Sequence, residues 1–288
     1  MSIRFSLLRM VHGLIFTALL SLPAQKAISQ DTPADRASVF LAEKAPEWEK
    51  ECHDGEMTSC VLLGSLYLEG SGVDADHVEA LHLFEMACGG SNMGGCHNVA
   101  HMHHNGFATE QSYVEAARFW HIACEGRYLD SCVSLGYAHR EGIGTTQDYA
   151  EAIRLYELAC NGQNGNGCTF LGLMYFDGLG VEPDSSDAAR FYSLGCTHYS
   201  PLGCTLIGNL YERGLGVEAD AELAFTHYEK ACNSNDPSGF HLLGIAFGRG
   251  FGVEASKERG LHFLRKSCEL GGVEACERAA TVPQDFDE

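Results

Sequence analysis

No catalytic signature is present in these 288 residues: Ser-x-x-Lys, Lys-Thr-Gly, Gly-x-Ser-x-Gly and His-x-His-x-Asp-His are all missing, so the familiar serine and zinc hydrolase mechanisms have no visible residues. Positive charge is also scarce. Lys and Arg number 19 against 39 Asp and Glu, a formal net charge of −20. Residues 1–29 hold three of the cations (Arg4, Arg9, Lys26) and no acid, which leaves 16 basic against 39 acidic residues and a charge of −23 beyond them. Such a chain repels nucleic acid and anionic membrane, and it favours cationic or neutral partners. The acidity is spread, gathers only mildly in Asp285, Asp287 and Glu288, and reads as a solvated face without a specific role.

Long apolar runs are lacking too. One run, Met10 to Leu22, follows Arg4 and Arg9 and precedes the small-residue cleavage candidates Ala27-Ile28-Ser29, with Ala24 as an alternative. It falls short of the roughly 20 residues of a membrane span, and it is more hydrophobic than amphipathic, unlike a mitochondrial presequence. Residues 1–29 therefore read as a secretory signal peptide. No cysteine near the cleavage region provides for a bacterial lipid anchor. The mature chain is expected in a secreted or periplasmic, oxidising compartment, without membrane insertion.

What is abundant is cysteine at fixed intervals. Cys52, Cys88, Cys124, Cys160, Cys196, Cys232 and Cys268 recur every 36 residues. Six are followed eight residues later by Cys60, Cys96, Cys132, Cys168, Cys204 and Cys276, while Phe240 stands where a partner of Cys232 would be. A fixed period without insertions is the signature of a repeat array. On one continuous helix the two members of a pair would lie about 12 Å apart, too far to bridge. A chain reversal must separate them, and Gly89, Gly90, Gly94 and Gly95, or Gly162, Gly165 and Gly167, or Pro201 and Gly203, supply the breaks. Each pair then staples the end of one helix to the start of the next. Closing a loop of about nine residues stabilises by about 2.6 kcal/mol in the chain-entropy model. Zinc ligands come instead as close C-x2–4-C knuckles, so neither metal nor cofactor is expected.

Between the cysteines the repeat reads Cys-x-x-Leu-Gly-x-Leu/Met-Tyr, as in Cys60 to Tyr67 and Cys168 to Tyr175, with looser copies from Cys132 to His139 and Cys204 to Tyr211. Gly-x-Gly-Val follows at Gly70, Gly178, Gly214 and Gly250, a turn that supplies left-handed backbone rather than a phosphate loop. The second half, as in Ala116-Ala117-Arg118-Phe119-Trp120-His121-Ile122-Ala123-Cys124, places Ala, Phe and Ala at i, i+3 and i+7 on one helical face. Two antiparallel helices, A and B, per 36 residues make an all-α solenoid of TPR-like hairpins with one disulfide per hairpin. A capping helix over about 34–51, six full repeats over 52–267 and a truncated repeat over 268–281 form one domain, 30–281, followed by an acidic tail, 282–288. Gly64, Gly136, Gly172, Gly208 and Gly244 lie inside helix A, where glycine costs about 1 kcal/mol; a close neighbouring helix is the expected reason.

The Leu-Gly-x-x-Tyr-x-x-Gly-x-Gly-Val pattern resembles Sel1-like repeats, and one cysteine pair per 36 residues is similar to the Helicobacter cysteine-rich protein family. It is also similar to an animal intermembrane-space factor for cytochrome oxidase assembly. The resemblance implies a protein-binding adaptor fold. Its Helicobacter branch implies penicillin binding with weak β-lactamase activity, and its animal branch a mitochondrial assembly role. Two departures stand out: the sixth repeat lacks its second cysteine, and Val99-Ala100-His101-Met102-His103 replaces Leu-Gly-x-x-Tyr in the second.

A monomer that binds a protein or peptide along a concave helix A face is the leading expectation. The first, fifth and eighth positions after each helix A cysteine share a variable face. They nominate His97, His101, His104, Tyr137, Leu173, Phe176, Asn209 and His241, with the groove centred on Tyr137, Leu173 and Phe176. His97, His101 and His104, at i, i+4 and i+7, have metal-ligand spacing but no carboxylate beside them, and read as a polar patch. Cys232 reads as a free thiol packed as a small hydrophobe, with its unstapled hairpin the loosest of the array.

Overall fold

A computed structural model describes residues 33–281; the signal-like segment 1–29 and the tail 282–288 lie outside the described residues. All regular structure among them is helical. Helix α1 (Pro33–His53) leads into six hairpins. Their A helices are α2 (Met57–Glu69), α4 (Met93–Asn105), α6 (Leu129–Glu141), α8 (Gly165–Asp177), α10 (Pro201–Arg213) and α12 (Pro237–Arg249). Their B helices are α3 (His77–Gly89), α5 (Tyr113–Glu125), α7 (Tyr149–Asn161), α9 (Ser185–Thr197), α11 (Ala221–Asn233) and α13 (Lys257–Glu269), and α14 (Val273–Thr281) follows. The result is an α-solenoid with six disulfides.

The helix A glycines have a direct physical reason. A Cβ built on Gly64 would lie 2.7 Å from the Phe84 ring; on Gly136, 2.7 Å from Tyr156; on Gly172, 2.7 Å from Tyr192; on Gly208, 2.5 Å from Tyr228. Each ring comes from helix B, four residues before its cysteine, and lies against the glycine. In the fifth such position Leu264 takes the same place against Gly244. The rings of Phe84, Tyr156, Tyr192 and Tyr228 are fully buried as a result. The second hairpin is different: Ala100 replaces the glycine and Trp120 the ring, and the two share one core cluster.

The six disulfides join Cys52–Cys60, Cys88–Cys96, Cys124–Cys132, Cys160–Cys168, Cys196–Cys204 and Cys268–Cys276. Each ties a B helix (or α1) to the next A helix, so the staples lie between successive hairpins. The glycines of these segments act differently from expectation. Left-handed backbone in the reversal belongs to Ser91, Arg127, Gln163, Tyr199 and Asn235, with φ from 58° to 69°, and to glycine only in the first and last segments, at Gly55 and Gly271. Gly95 and Gly167 are needed for proximity instead: a Cβ there would meet that of Ala87 at 2.6 Å or Ala159 at 2.5 Å. The Gly-x-Gly-Val glycines do adopt positive φ, as at Gly70 (70°) and Gly72 (79°).

Part of the acidity has a local task. Asp76, Asp148, Asp184, Asp220 and Asp236 are N-caps whose carboxylates accept hydrogen bonds from first-turn amides, and each such cap is worth about 1 kcal/mol. This corrects the reading of the acids as a face without a role.

At the one unstapled joint, between α11 and α12, Cys232 is half-buried and forms no disulfide. It packs beside a cluster containing Phe225, Tyr228, Leu243 and Phe247. Burial first, then Glu229 and Asp236, push its thiol pKa up, which suppresses the reactive thiolate. The turn itself is preserved, with Asn235 N–H donating to Cys232 O at 2.8 Å and Gly239 N–H to Asp236 Oδ2 at 2.8 Å.

This packing can be tested by substitution. Gly172→Val should cost about 1–3 kcal/mol in urea unfolding, because its side chain must displace the Tyr192 ring. Gly89→Ala, where a Cβ meets nothing within 4 Å, should gain about 0.4–1 kcal/mol; equal effects would refute the ring-on-glycine account. In hydrogen exchange, amides of 232–240 should exchange faster than their stapled counterparts in 196–204, and equal protection would show that the missing bridge has no local consequence.

Candidate functional site

Helices A of neighbouring hairpins pack on each other, α2 with α4, α6 with α8, α8 with α10 and α10 with α12; among the B helices only α9 and α11 approach comparably. The A layer is the tighter of the two. Its variable face does not behave as one strip. At the first position Thr169 and Thr205 are buried and Val133 nearly so. Thr169 Oγ1 donates to Ser200 Oγ, on the next repeat, at 3.0 Å. His97 Nδ1 likewise lies 2.8 Å from Ser131 Oγ, and its ring lies 5.0 Å from Tyr128. From the second to the fifth repeat the first position is therefore a joint between repeats rather than open groove, while its sixth-repeat counterpart, His241, lines an open cavity. At the fifth and eighth positions no residue is fully buried. There Tyr137 and His101 are exposed, and Leu173, Phe176, Asn209 and Ile245 half-buried.

The three histidines of the second hairpin do not converge. His97 turns to Ser131 and Tyr128, His101 to Phe107 (6.2 Å), and His104 to Tyr113 (5.2 Å) and Trp120 (5.4 Å). Among the described residues no group of three or more His, Cys, Asp or Glu is placed to hold a metal ion. Instead the hairpin is under-satisfied: His103 Nδ1, His104 Nδ1 and Trp120 Nε1 are buried without a hydrogen-bond partner.

Two adjoining concavities lie further along the array than the expected centre at Tyr137, Leu173 and Phe176. A cavity of about 430 Å³ opens between α12 and α14, lined by His241, Leu242, Ile245, Val273 and Ala275, with the Glu274–Arg278 ion pair (3.2 Å) at its rim. A second, of about 150 Å³, opens on the other side of α12 among Glu212, Tyr228, Leu242, Ile245, Arg249 and Phe251. Leu242 and Ile245 form the shared wall. The Tyr228 hydroxyl donates to Glu212 Oε2 at 2.7 Å and lies 2.9 Å from Asn209 Oδ1. Burial first, and then Glu212, push that phenol far above its ordinary pKa, so it remains a donor at every working pH. The helix periodicity nominated Asn209, Glu212, His241 and Ile245 but not Tyr228 or Arg249. Arg249 stands one residue past the eighth position, and its place in the cavity depends on which neighbour crosses it.

Fold and face together define a disulfide-stapled α-solenoid whose tighter helical layer carries the concavities. A family model of the Sel1 repeat matches residues 58–92, 94–128, 129–164, 165–198, 201–236 and 241–272, and the chain belongs to the Sel1 repeat family. Among solved structures it is similar to a protective antigen present in uropathogenic Escherichia coli strains displaying an SLR fold. That match has 26% identity and a TM-score of 0.67, covering 82% of this chain and 50% of that one, so the chain spans half the antigen's length. It is also similar to a Sel1 repeat protein from Oxalobacter formigenes (22% identity, TM-score 0.71, 80% of this chain and 99% of that one). Helicobacter pylori cysteine rich protein B matches over 49% of this chain and 98% of its own, at 23% identity and a TM-score of 0.39, a likeness too partial to carry an argument. No curated protein matches the chain.

Burial holds His97, His101, His227 and His241 below the ordinary imidazole pKa; at His97 Asp130 opposes the shift and His101 adds to it. In the unfolded chain they take up protons near pH 6.5. Between that value and the lowered folded pKa the unfolded state binds more protons, so stability falls as pH falls below about 6.5 and is level above it. The thermal midpoint should drop between pH 7.5 and pH 5.5, and less so in His97→Gln. Equal drops in both proteins would remove His97 from the account.

Proposed function

We propose that this protein is a rigid scaffold of an oxidising, extracytoplasmic compartment that binds a protein or peptide along its helix A face. Six disulfides in one chain support the compartment, because such bonds persist where thiols are not kept reduced. The observation that carries the binding reading is the pair of adjoining cavities on the tighter helical layer, with exposed Tyr137 and His101 continuing the same face. In a curved stack the more closely spaced layer is the inner one, and extended concave surfaces are what solenoids use for recognition. The hydrolase that the Helicobacter resemblance implies gains no support from the geometry. The hydroxyls of Thr169 and Ser200 are bonded inside the repeat joints, and that of Tyr228 is held by Glu212 as a donor.

A photo-crosslinking residue at Tyr137 or Ile245 should capture the partner from the native compartment, and one at Glu157, exposed on helix B, should not. Capture from Glu157 alone would overturn the reading. So would turnover of a chromogenic β-lactam by the oxidised protein that disappears on reduction.

A further inference from the structure

The two cavities flanking α12 have a geometry that selects among peptide conformations. They lie on opposite sides of one helix, share the wall Leu242–Ile245, and hold about 430 and 150 Å³. Packed helices stand about 8–10 Å apart, so side chains entering both cavities must be separated by about that distance. A polyproline II segment rises about 3.1 Å per residue with three residues per turn, so residues i and i+3 point the same way about 9 Å apart. A β-strand offers about 7 Å at i+2 or 13 Å at i+4, one too short and the other too long.

The polar groups fit the same segment. Glu212 and Arg249 both line the smaller cavity, and neither forms an ion pair among the described residues. A polyproline II backbone makes no internal hydrogen bonds, which leaves an N–H for Glu212 and a C=O for Arg249. Residues 237–281 hold six basic and five acidic residues, so the charge around the ridge is balanced and selection rests on shape and backbone hydrogen bonds.

Building on the groove reading above, we propose that the ridge of α12 binds a short polyproline II segment with two apolar side chains three residues apart. One side chain enters each cavity, and the segment straddles Ile245.

The test uses the full oxidised chain and a fluorescent, acetylated and amidated Lys-Leu-Pro-Pro-Leu-Lys peptide, read by anisotropy. Its affinity should exceed that of Lys-Leu-Pro-Leu-Pro-Lys by at least about tenfold, the loss of one buried leucine. Ile245→Asp should abolish binding, and Ser238→Trp, which fills the larger cavity from its exposed rim without touching the core, should do the same if Ile245→Asp proves unfolded by circular dichroism. Arg249→Gln should weaken binding severalfold. Equal affinity for the two spacings, tighter binding of a helical peptide with leucines seven apart, or indifference to both Ile245→Asp and Ser238→Trp would overturn the proposal. Absence of peptide binding alongside partner crosslinks from Tyr137 would overturn it while leaving the groove reading intact; absence of both would remove the two together.

Discussion

An aromatic ring lying on a glycine closes most of the hairpins, and the rest of the solenoid depends on that contact. The glycine costs helix stability in isolation and is retained because only a bare backbone lets helix B bring its ring so near. Where the pair is changed, the consequences are local and legible. Ala100 holds the Trp120 indole off, the larger ring leaves its N–H without a partner, and the His104 ring lies in the space beside it. The second hairpin thus gathers three unsatisfied polar groups, His103 Nδ1, His104 Nδ1 and Trp120 Nε1, against two in the third, His139 Nδ1 and Tyr156 OH.

Cohesion is divided between two kinds of contact. Ring on glycine holds A to B within a hairpin, and disulfides hold B to the next A. The staples sit at the N-terminal turns of the A helices, where first-position side chains such as Thr169 are buried against the next repeat. A ligand surface held this way is pre-organised, and its ligand gains affinity by not having to order it.

The period, the cysteine pairing and the turn glycines were readable in the sequence because each is a within-chain spacing. Other features were not, for one shared reason: they depend on which neighbour crosses a given turn. The periodicity grouped Thr169 with Leu173 on one face, yet the next repeat covers the first and not the second. Ser91 and Tyr199 carry the left-handed backbone expected of glycine, because Gly95 and Gly203, a helical turn further on, are required to let the stapled helices touch. The capping aspartates were legible in principle, each standing just before an amphipathic run, but were lost in an acid count of 39. For the cavities beside α12 the periodicity supplied His241, Ile245 and Glu212, but nothing in the spacing told that open space lies on both sides of that helix.

The missing partner of Cys232 bears on the site directly. The joint without a bridge is the one that introduces α12, the helix whose two sides are hollow. In place of a covalent link it has packed rings: Phe225 meets Phe247 edge-on at 5.3 Å, Phe247 stacks on Phe263 at 5.4 Å, and Phe240 lies 6.3 Å from Phe263. Aromatic pairs contribute about 0.5–1.5 kcal/mol each beyond burial, but unlike a disulfide they slide without breaking. Elements that adjust to a ligand are drawn from the less stable parts of a fold. A helix held by rings on one side and flanked by open space on both is the member of this array best able to shift a fraction of an ångström when a side chain enters beside it, while the stapled repeats on either side keep their register.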